Sequence, residues 1–347
     1  MTNEIKSRVV GNLGHITLNR PKALNALTQA MCDEITRLMV AWENDPNIGA
    51  VLVDGSGDRA FCAGGDVILL HDSGKAGDKR AETFWRNEYA LNDLIYRYKK
   101  PYITLIDGIV MGGGVGLSVH GRHRVAGNST MFAMPETGIG YFPDVGGTFF
   151  LPRLGMAVGQ WLGLTGARMK MRQVCEAGIA NSFVPSDQHE ALIEALGAAD
   201  LDGSDVAVLK VMSDFVQRPP AADPIPKSVN AFSASSVGGI LTALDADGSE
   251  WAQAQAENLR KKSPVALSVT FEAIRRGAKL SFRDAMSQEL DISLGFLNTQ
   301  DFYEGIRAQL IDKDRNPKWS AEDLSGVTAM EISRHFVPTP TPLKFLD

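Results

Sequence analysis

Two carboxylates, Glu136 and Asp144, sit among Pro, Gly and apolar residues in Met134-Pro135-Glu136 and Gly138-Ile139-Gly140-Tyr141-Phe142-Pro143-Asp144-Val145-Gly146-Gly147. Carboxylates in such company are poorly solvated. Upstream runs Met111-Gly112-Gly113-Gly114-Val115-Gly116-Leu117-Ser118, where few side chains shield the backbone and a ligand atom can approach its N–H groups. If a helix opens there, those N–H groups are the unpaired donors of its first turn, backed by the helix dipole. Ala60-Phe61-Cys62-Ala63-Gly64-Gly65-Asp66-Val67 is a second junction of the same kind, and two such junctions could each present one N–H to a single oxygen. Donors aimed at a developing oxyanion, with carboxylates able to activate water or move protons, suit acyl transfer or C–C and C–O chemistry beside a carbonyl.

Other readings compete. Triple glycine after a strand also makes tight turns and phosphate loops, but the sixth residue from Gly112 is Leu117 rather than glycine, and the phosphate-loop Lys-Ser/Thr pair is absent. The esterase elbow G-x-S-x-G nearly fits around Ser118 but ends on His120, so Ser118 reads as a helix residue. Cys62, with no basic neighbour in sequence, reads as packing rather than a nucleophile. His120 and His123 form H-x-x-H without further ligands nearby and read as ordinary turn and strand residues.

These groups need strands and helices to position them. Tyr102 to Ile106 reads as a buried strand feeding the triple glycine, Ala50 to Val53 as another, and Val9 to Leu18 as a hairpin. His123 to Ala126, Met131 to Ala133 and Ile179 to Val184 also read as strands. A helix is predicted after Thr28 as N-cap, with Met31, Ile35, Leu38, Met39 and Trp42 on one face. The segment Glu82 to Lys100 carries Phe84, Leu91, Ile95 and Tyr98 on one helical stripe, with Glu88 in its middle. Either Glu88 snorkels from the stripe's exposed edge, or the helix lines a pocket and Glu88 bonds a ligand there. Beyond about residue 201 strand signals nearly vanish, leaving helical spacing at Val237 to Leu244, Trp251 to Leu259, Val265 to Ile274 and Phe282 to Phe296. The expected division is 1–200 as a mixed α/β core and 201–347 as a helical region covering it.

The chain has 347 residues, 44% of them hydrophobic, enough for a large core. A net charge of −6 argues against a nucleic-acid partner. Three scattered cysteines suggest neither a disulfide framework nor a zinc site. With no signal sequence and no apolar run of the ~18 residues that span a bilayer, the expectation is a soluble cytoplasmic protein with no membrane partner.

Four stretches, Asn19 to Leu27 (NRPKALNAL), Ala60 to Asp66, Gly112-Gly113-Gly114 and Pro135-Glu136, resemble the crotonase (enoyl-CoA hydratase/isomerase) superfamily. Met111 to His120, Phe132 to Glu136, Tyr141 to Gly147 and the late Asp301 to Ala308 with Asp312-Lys313-Asp314 resemble its 3-hydroxyisobutyryl-CoA hydrolase branch. The resemblance covers nearly the whole chain. It implies an α/β fold, a ββα spiral core with an all-helical C-terminal region, and an acyl-CoA ligand whose thioester oxygen is held by the N–H groups of Gly65 and Gly113.

The resemblance also implies roles. Glu136 occupies the place of the second hydratase glutamate, while the first is replaced by Gly116, which disfavours a hydratase that uses both acids. Asp144 stands where the hydrolase branch has its aspartate, and Glu88 where that branch has a substrate-binding glutamate. The expected reaction is hydrolysis of 3-hydroxyisobutyryl-CoA, as in valine catabolism, with Glu136 as base or nucleophile and Asp144 orienting water or the substrate's hydroxyl. No metal or redox cofactor is expected. The alternatives are a hydratase or isomerase using Glu136 alone, or a non-catalytic acyl-CoA-binding protein. Lys22 is a candidate for the CoA phosphates, against a plain surface lysine. A homo-oligomer is an open expectation, since trimers are common in the superfamily but the helical region could occupy the usual contact surface.

Overall fold

The computed structural model describes residues 3–221 and 223–346. Its strands, in chain order, are β1 (Ile5–Val10), β2 (Leu13–Leu18), β3 (Ala50–Gly55), β4 (Ala60–Cys62), β5 (Tyr102–Leu105), β6 (Ile109–Met111), β7 (His123–Ala126), β8 (Met131–Ala133), β9 (Met169–Lys170) and β10 (Ser182–Phe183). They form a six-stranded sheet in the order β1-β2-β3-β5-β7-β10 and a four-stranded sheet in the order β4-β6-β8-β9. Each winding places one strand in the first sheet, the next in the second, and then returns. β3, β5 and β7 thus lie side by side and parallel, as do β4, β6 and β8.

This winding sets the site. The glycine junction after β4, the one after β6 and the Met134-Pro135-Glu136 turn after β8 emerge from the same end of three neighbouring parallel strands. The pairings Cys62↔Val110 and Met111↔Ala133 fix their register. The hairpin forms as expected and begins earlier, at Ile5. The predicted strand Ile179 to Val184 contracts to Ser182–Phe183. The N–H groups of Ile179 and Ala180 go to the carbonyl of Val174, and the side chain of Asn181 takes the N–H of Arg124, so backbone pairing starts late.

Helix α1 (Gln29–Asn44) starts where Thr28 accepts a bond from the N–H of Met31, and buries Met31, Ile35, Leu38, Met39 and Trp42. α2 (Val67–Ala76) is capped by Asp66 and α3 (Arg80–Tyr96) follows it. α4 (Gly113–Ser118) is short and wholly buried, and α5 (Gly147–Phe150) follows the Asp144 turn. Among the described residues every strand precedes residue 184, and the elements after 201 are helical. Val237–Asp247 forms a helix despite Gly238 and Gly239, because Ser236 caps it at the N–H of Gly239. The helices Pro264–Gly277 and Phe282–Phe296 bury Ile274, Leu290 and Phe296 in the same apolar cluster as Leu27, Phe84 and Phe142. No helix among the described residues is long and apolar enough to cross a membrane.

Candidate active site

The first glycine junction is braced from the Asn19 to Leu27 segment. Asn25, at φ 56°, accepts from the N–H of Arg20 and donates to the carbonyls of Ser56 and Ala60. The N–H of Leu27 then bonds the carbonyl of Gly64 at 2.8 Å, in an isolated parallel bridge between Leu27 and Gly65. In that pairing the carbonyl of Gly64 carries the bond, so the N–H of Gly65 is left off the bridge. At the second junction Gly112 has φ 47° and ψ −124°, a conformation that side-chain-bearing residues avoid, and it turns the chain into α4 with Gly113 as its first residue. The N–H of Gly113 is therefore one of the helix's unpaired donors. The junctions touch: a Cβ on Gly112 would lie 3.1 Å from Gly64 Cα, and one on Gly113 would lie 3.3 Å from the Gly64 carbonyl oxygen.

Three acids meet this pair of junctions or lie close behind it. Glu136 opens a turn of 3₁₀ helix, is 8% exposed, and brings Oε1 to 3.4 Å from the position a Gly112 Cβ would take. Glu88, on α3, is 3% exposed, with Oε1 2.7 Å from the corresponding position on Gly113 and 3.9 Å from that on Gly65. The exposed-edge reading of Glu88 is therefore overturned: α3 is covered on that face by α4. Glu88 Oε1 and Glu136 Oε2 have no hydrogen-bond partner among the described residues, nor has either polar atom of Asn92, one turn along α3. Buried, unpaired carboxyl oxygens are costly in a structural role and suited to receiving a ligand.

Asp144, also buried, is by contrast well held. Tyr89 Oη donates to its Oδ2 at 2.8 Å and Tyr141 Oη at 3.3 Å, while Ser293 Oγ lies within 2.8 and 2.6 Å of the two phenols. Burial pushes Asp144 up to about 6 against these donors. Burial, then the charge of Asp144, raises both Glu88 and Glu136 well above the ordinary carboxylate range. Lys262 lies on the other side of the balance: burial brings it down to about 8 while Glu136 draws it back up, and it in turn favours the Glu136 carboxylate.

Sequence reasoning missed the devices that hold the Asp144 loop, because they come from positions 25 and more than 140 residues away in the chain. Glu289, from the helix Phe282–Phe296, accepts from the N–H groups of Gly146 and Thr148 and from the Thr148 hydroxyl at 2.7, 2.9 and 2.6 Å. His120 donates to the carbonyl of Val145, which has φ 51°; burial lowers the imidazole to about 4 and keeps it neutral for that bond. The Glu289→Ala variant is expected to lose roughly 3 to 5 kcal/mol in a denaturation midpoint experiment, since three buried donors lose their acceptor at once. Its activity should fall with the order of the Asp144 loop. The late Asp301 to Ala308 stretch clamps the other side: Phe302 packs on Tyr141 at 5.5 Å between ring centres, and Gly305 lies against Ile139.

The remaining candidates separate cleanly. Cys62 is buried, donates to the Gly64 carbonyl at 3.4 Å and is pushed up to about 12 by burial, so it is a packing thiol. Ser118 donates to the carbonyl of Gly114 inside α4. His123 bonds Asp205, away from His120. Lys22 is exposed.

The chain matches the family model for enoyl-CoA hydratase/isomerase over residues 13–336. It belongs to that family. It is 45% identical over 343 residues, 96% of this chain and 89% of the relative, to the mitochondrial 3-hydroxyisobutyryl-CoA hydrolase of Danio rerio. Over 334 residues it is 42% identical to that of Homo sapiens, covering 94% of this chain and 86% of the relative. These relatives place it in the 3-hydroxyisobutyryl-CoA hydrolase branch of the enoyl-CoA hydratase/isomerase family. Among solved structures it is similar to a carnitinyl-CoA dehydratase from Mycobacterium thermoresistibile, with TM-score 0.92, 40% identity and 99% of both chains covered. The expected fold class stands. The expected cytoplasmic location does not, because these curated relatives are mitochondrial enzymes. That expectation rested on the absence of a signal, which is not evidence of place.

Proposed function

We propose that the protein hydrolyses 3-hydroxyisobutyryl-CoA, or a close 3-hydroxyacyl-CoA, to the free hydroxy acid and CoA. The observation that carries this reading is the contact of the two glycine junctions on adjacent strand ends, with the unpartnered carboxyl oxygens of Glu88 and Glu136 beside them. The thioester oxygen sits between the N–H groups of Gly65 and Gly113, each worth roughly 3 to 4 kcal/mol to the charge that develops there. Glu136 either takes the proton of the attacking water or attacks the carbonyl itself to give an anhydride that water opens. In both routes a C–O bond forms, the C–S bond breaks, and the thiolate leaves and takes up a proton. Asp144 orients the water or the acyl hydroxyl, and Glu88 grips the hydroxyl end. An acyl group without the hydroxyl leaves these buried polar groups unmatched, which favours substrates that carry it.

A second reading, water addition or elimination by Glu136 alone, is favoured by the name of the similar Mycobacterium structure. Gly116 weighs against a two-acid version of it. A panel of acyl-CoA esters with and without a 3-hydroxyl, scored for free CoA thiol, separates the readings. The hydrolase releases thiol, fastest from the hydroxylated esters; an enzyme that leaves every thioester intact is not this one.

The acid limb of kcat/KM follows from the site's electrostatics. Glu136 must be ionised, and burial with Asp144 holds it above its ordinary value of 4.5, so activity falls as the pH drops through that raised value. Asp144→Asn removes the repulsion, favours the carboxylate, and should move the limb of its residual activity to lower pH.

A further inference from the structure

We propose that Asn92 is a specificity-determining residue that holds, together with Glu88, the hydroxyl on the acyl group of the substrate. This rests on the thioesterase reading above. Asn92 is fully buried, and neither its Nδ2 nor its Oδ1 has a partner among the described residues. Glu88 precedes it by one turn on the same face of α3, and Glu88 Oε1 is unpaired as well. α4 runs along this face, with Gly113 opposite Glu88 and Gly116 opposite Asn92. A Cβ on Gly116 would stand 2.7 Å from Asn92 Nδ2 and 2.8 Å from Val145 Cβ. The bare Cα at 116 is thus what leaves room for the amide, which lies beside the residue that follows Asp144.

The direction of the acyl group follows from the same contacts. Its carbonyl end is at Gly113, beside Glu88, and the buried inner end of the α3–α4 seam is at Asn92. Side chains one helical turn apart share a face, so their ends can converge on one hydroxyl, whose two hydrogen bonds of about 2.8 Å span roughly 4.5 to 5 Å. An alcohol both donates and accepts, and the pair can serve it in either sense. Where Glu88 keeps its proton, as burial and Asp144 favour, it donates to the alcohol oxygen and Asn92 Oδ1 accepts the alcohol proton. Where Glu88 is ionised, it accepts and Asn92 Nδ2 donates. A neutral amide fits both cases.

The test compares kcat/KM for 3-hydroxyisobutyryl-CoA and isobutyryl-CoA, which lacks only the hydroxyl, in the wild type and in Asn92→Leu. The ratio of the two is independent of the fraction of folded enzyme. It should fall by roughly 10- to 100-fold, through loss on the hydroxylated ester with the plain ester unchanged or improved. Asn92→Ser, smaller and still able to donate and accept, should give an intermediate ratio. A ratio unchanged from wild type, or loss of both activities together in both variants, makes Asn92 a structural residue and overturns the proposal. A wild-type protein that releases CoA from neither ester sinks the thioesterase reading itself, and this assignment with it.

Discussion

Glu136→Gln is expected to lower kcat for CoA release by roughly 10²- to 10⁴-fold while KM changes little. The substitution keeps the shape of the side chain, so the contact with Gly112 survives, while the group that receives a proton or attacks the carbonyl is gone. Stability should not fall. A buried carboxyl repelled by Asp144 is replaced by a neutral amide, which removes a desolvation cost, so the unfolding midpoint at neutral pH should stay or rise. Loss of activity with retained or improved stability marks a residue kept for chemistry. Normal turnover in Glu136→Gln would end the assignment, and a collapse in stability would make Glu136 a structural acid.

Neighbouring glycines of the triple should behave in opposite ways. In Gly113→Ala the new methyl meets Glu88 Oε1 at 2.7 Å and Leu27 Cδ1 at 2.9 Å, both ends of side chains that can move. The fold should survive, but Glu88 is displaced and the oxygen-binding N–H is crowded, so kcat/KM should drop by roughly 10²- to 10³-fold. In Gly114→Ala the methyl meets the backbone oxygen of Cys62 at 2.2 Å, which no side-chain rotation relieves. That variant should lose about 3 kcal/mol or more in chemical denaturation, or fail to fold, because β4 and α4 would have to separate. Equal effects of the two on stability and activity would contradict the placement of Gly113 beside the Glu88 side chain and of Gly114 against the backbone of β4.

Much of this was legible in the residues. The stripe of α1 and the capping Thr28 specified that helix nearly to the residue, because local periodicity and a local cap both act within a few positions. The glycine junctions and Glu136 could be singled out because their chemistry is carried by short contiguous stretches. Glu88 gave only a conflict, a charge in an apolar stripe, and the burial of α3 beneath α4 resolved it. Glu289 carries the same conflict, a charge at helical spacing between Phe282, Met286 and Phe296, which went unread, whereas Asn92, Tyr89 and Ser293 gave no such sign. A polar residue on a helix looks alike whether it faces water or a cavity, and the bonds that matter here join positions as far apart as Gly146 and Glu289. The edge strand at Ser182–Phe183 was overread for a related reason: an apolar run does not reveal that its N–H groups are already taken by a nearby helix.

The central claim is that the thioester bond is broken. Incubating the protein with 3-hydroxyisobutyryl-CoA while following free thiol and conjugated enoyl product together tests it most directly. One thiol should appear for every thioester consumed, with no enoyl product at any stage. Accumulation of an enoyl-CoA with the thioester intact would contradict it.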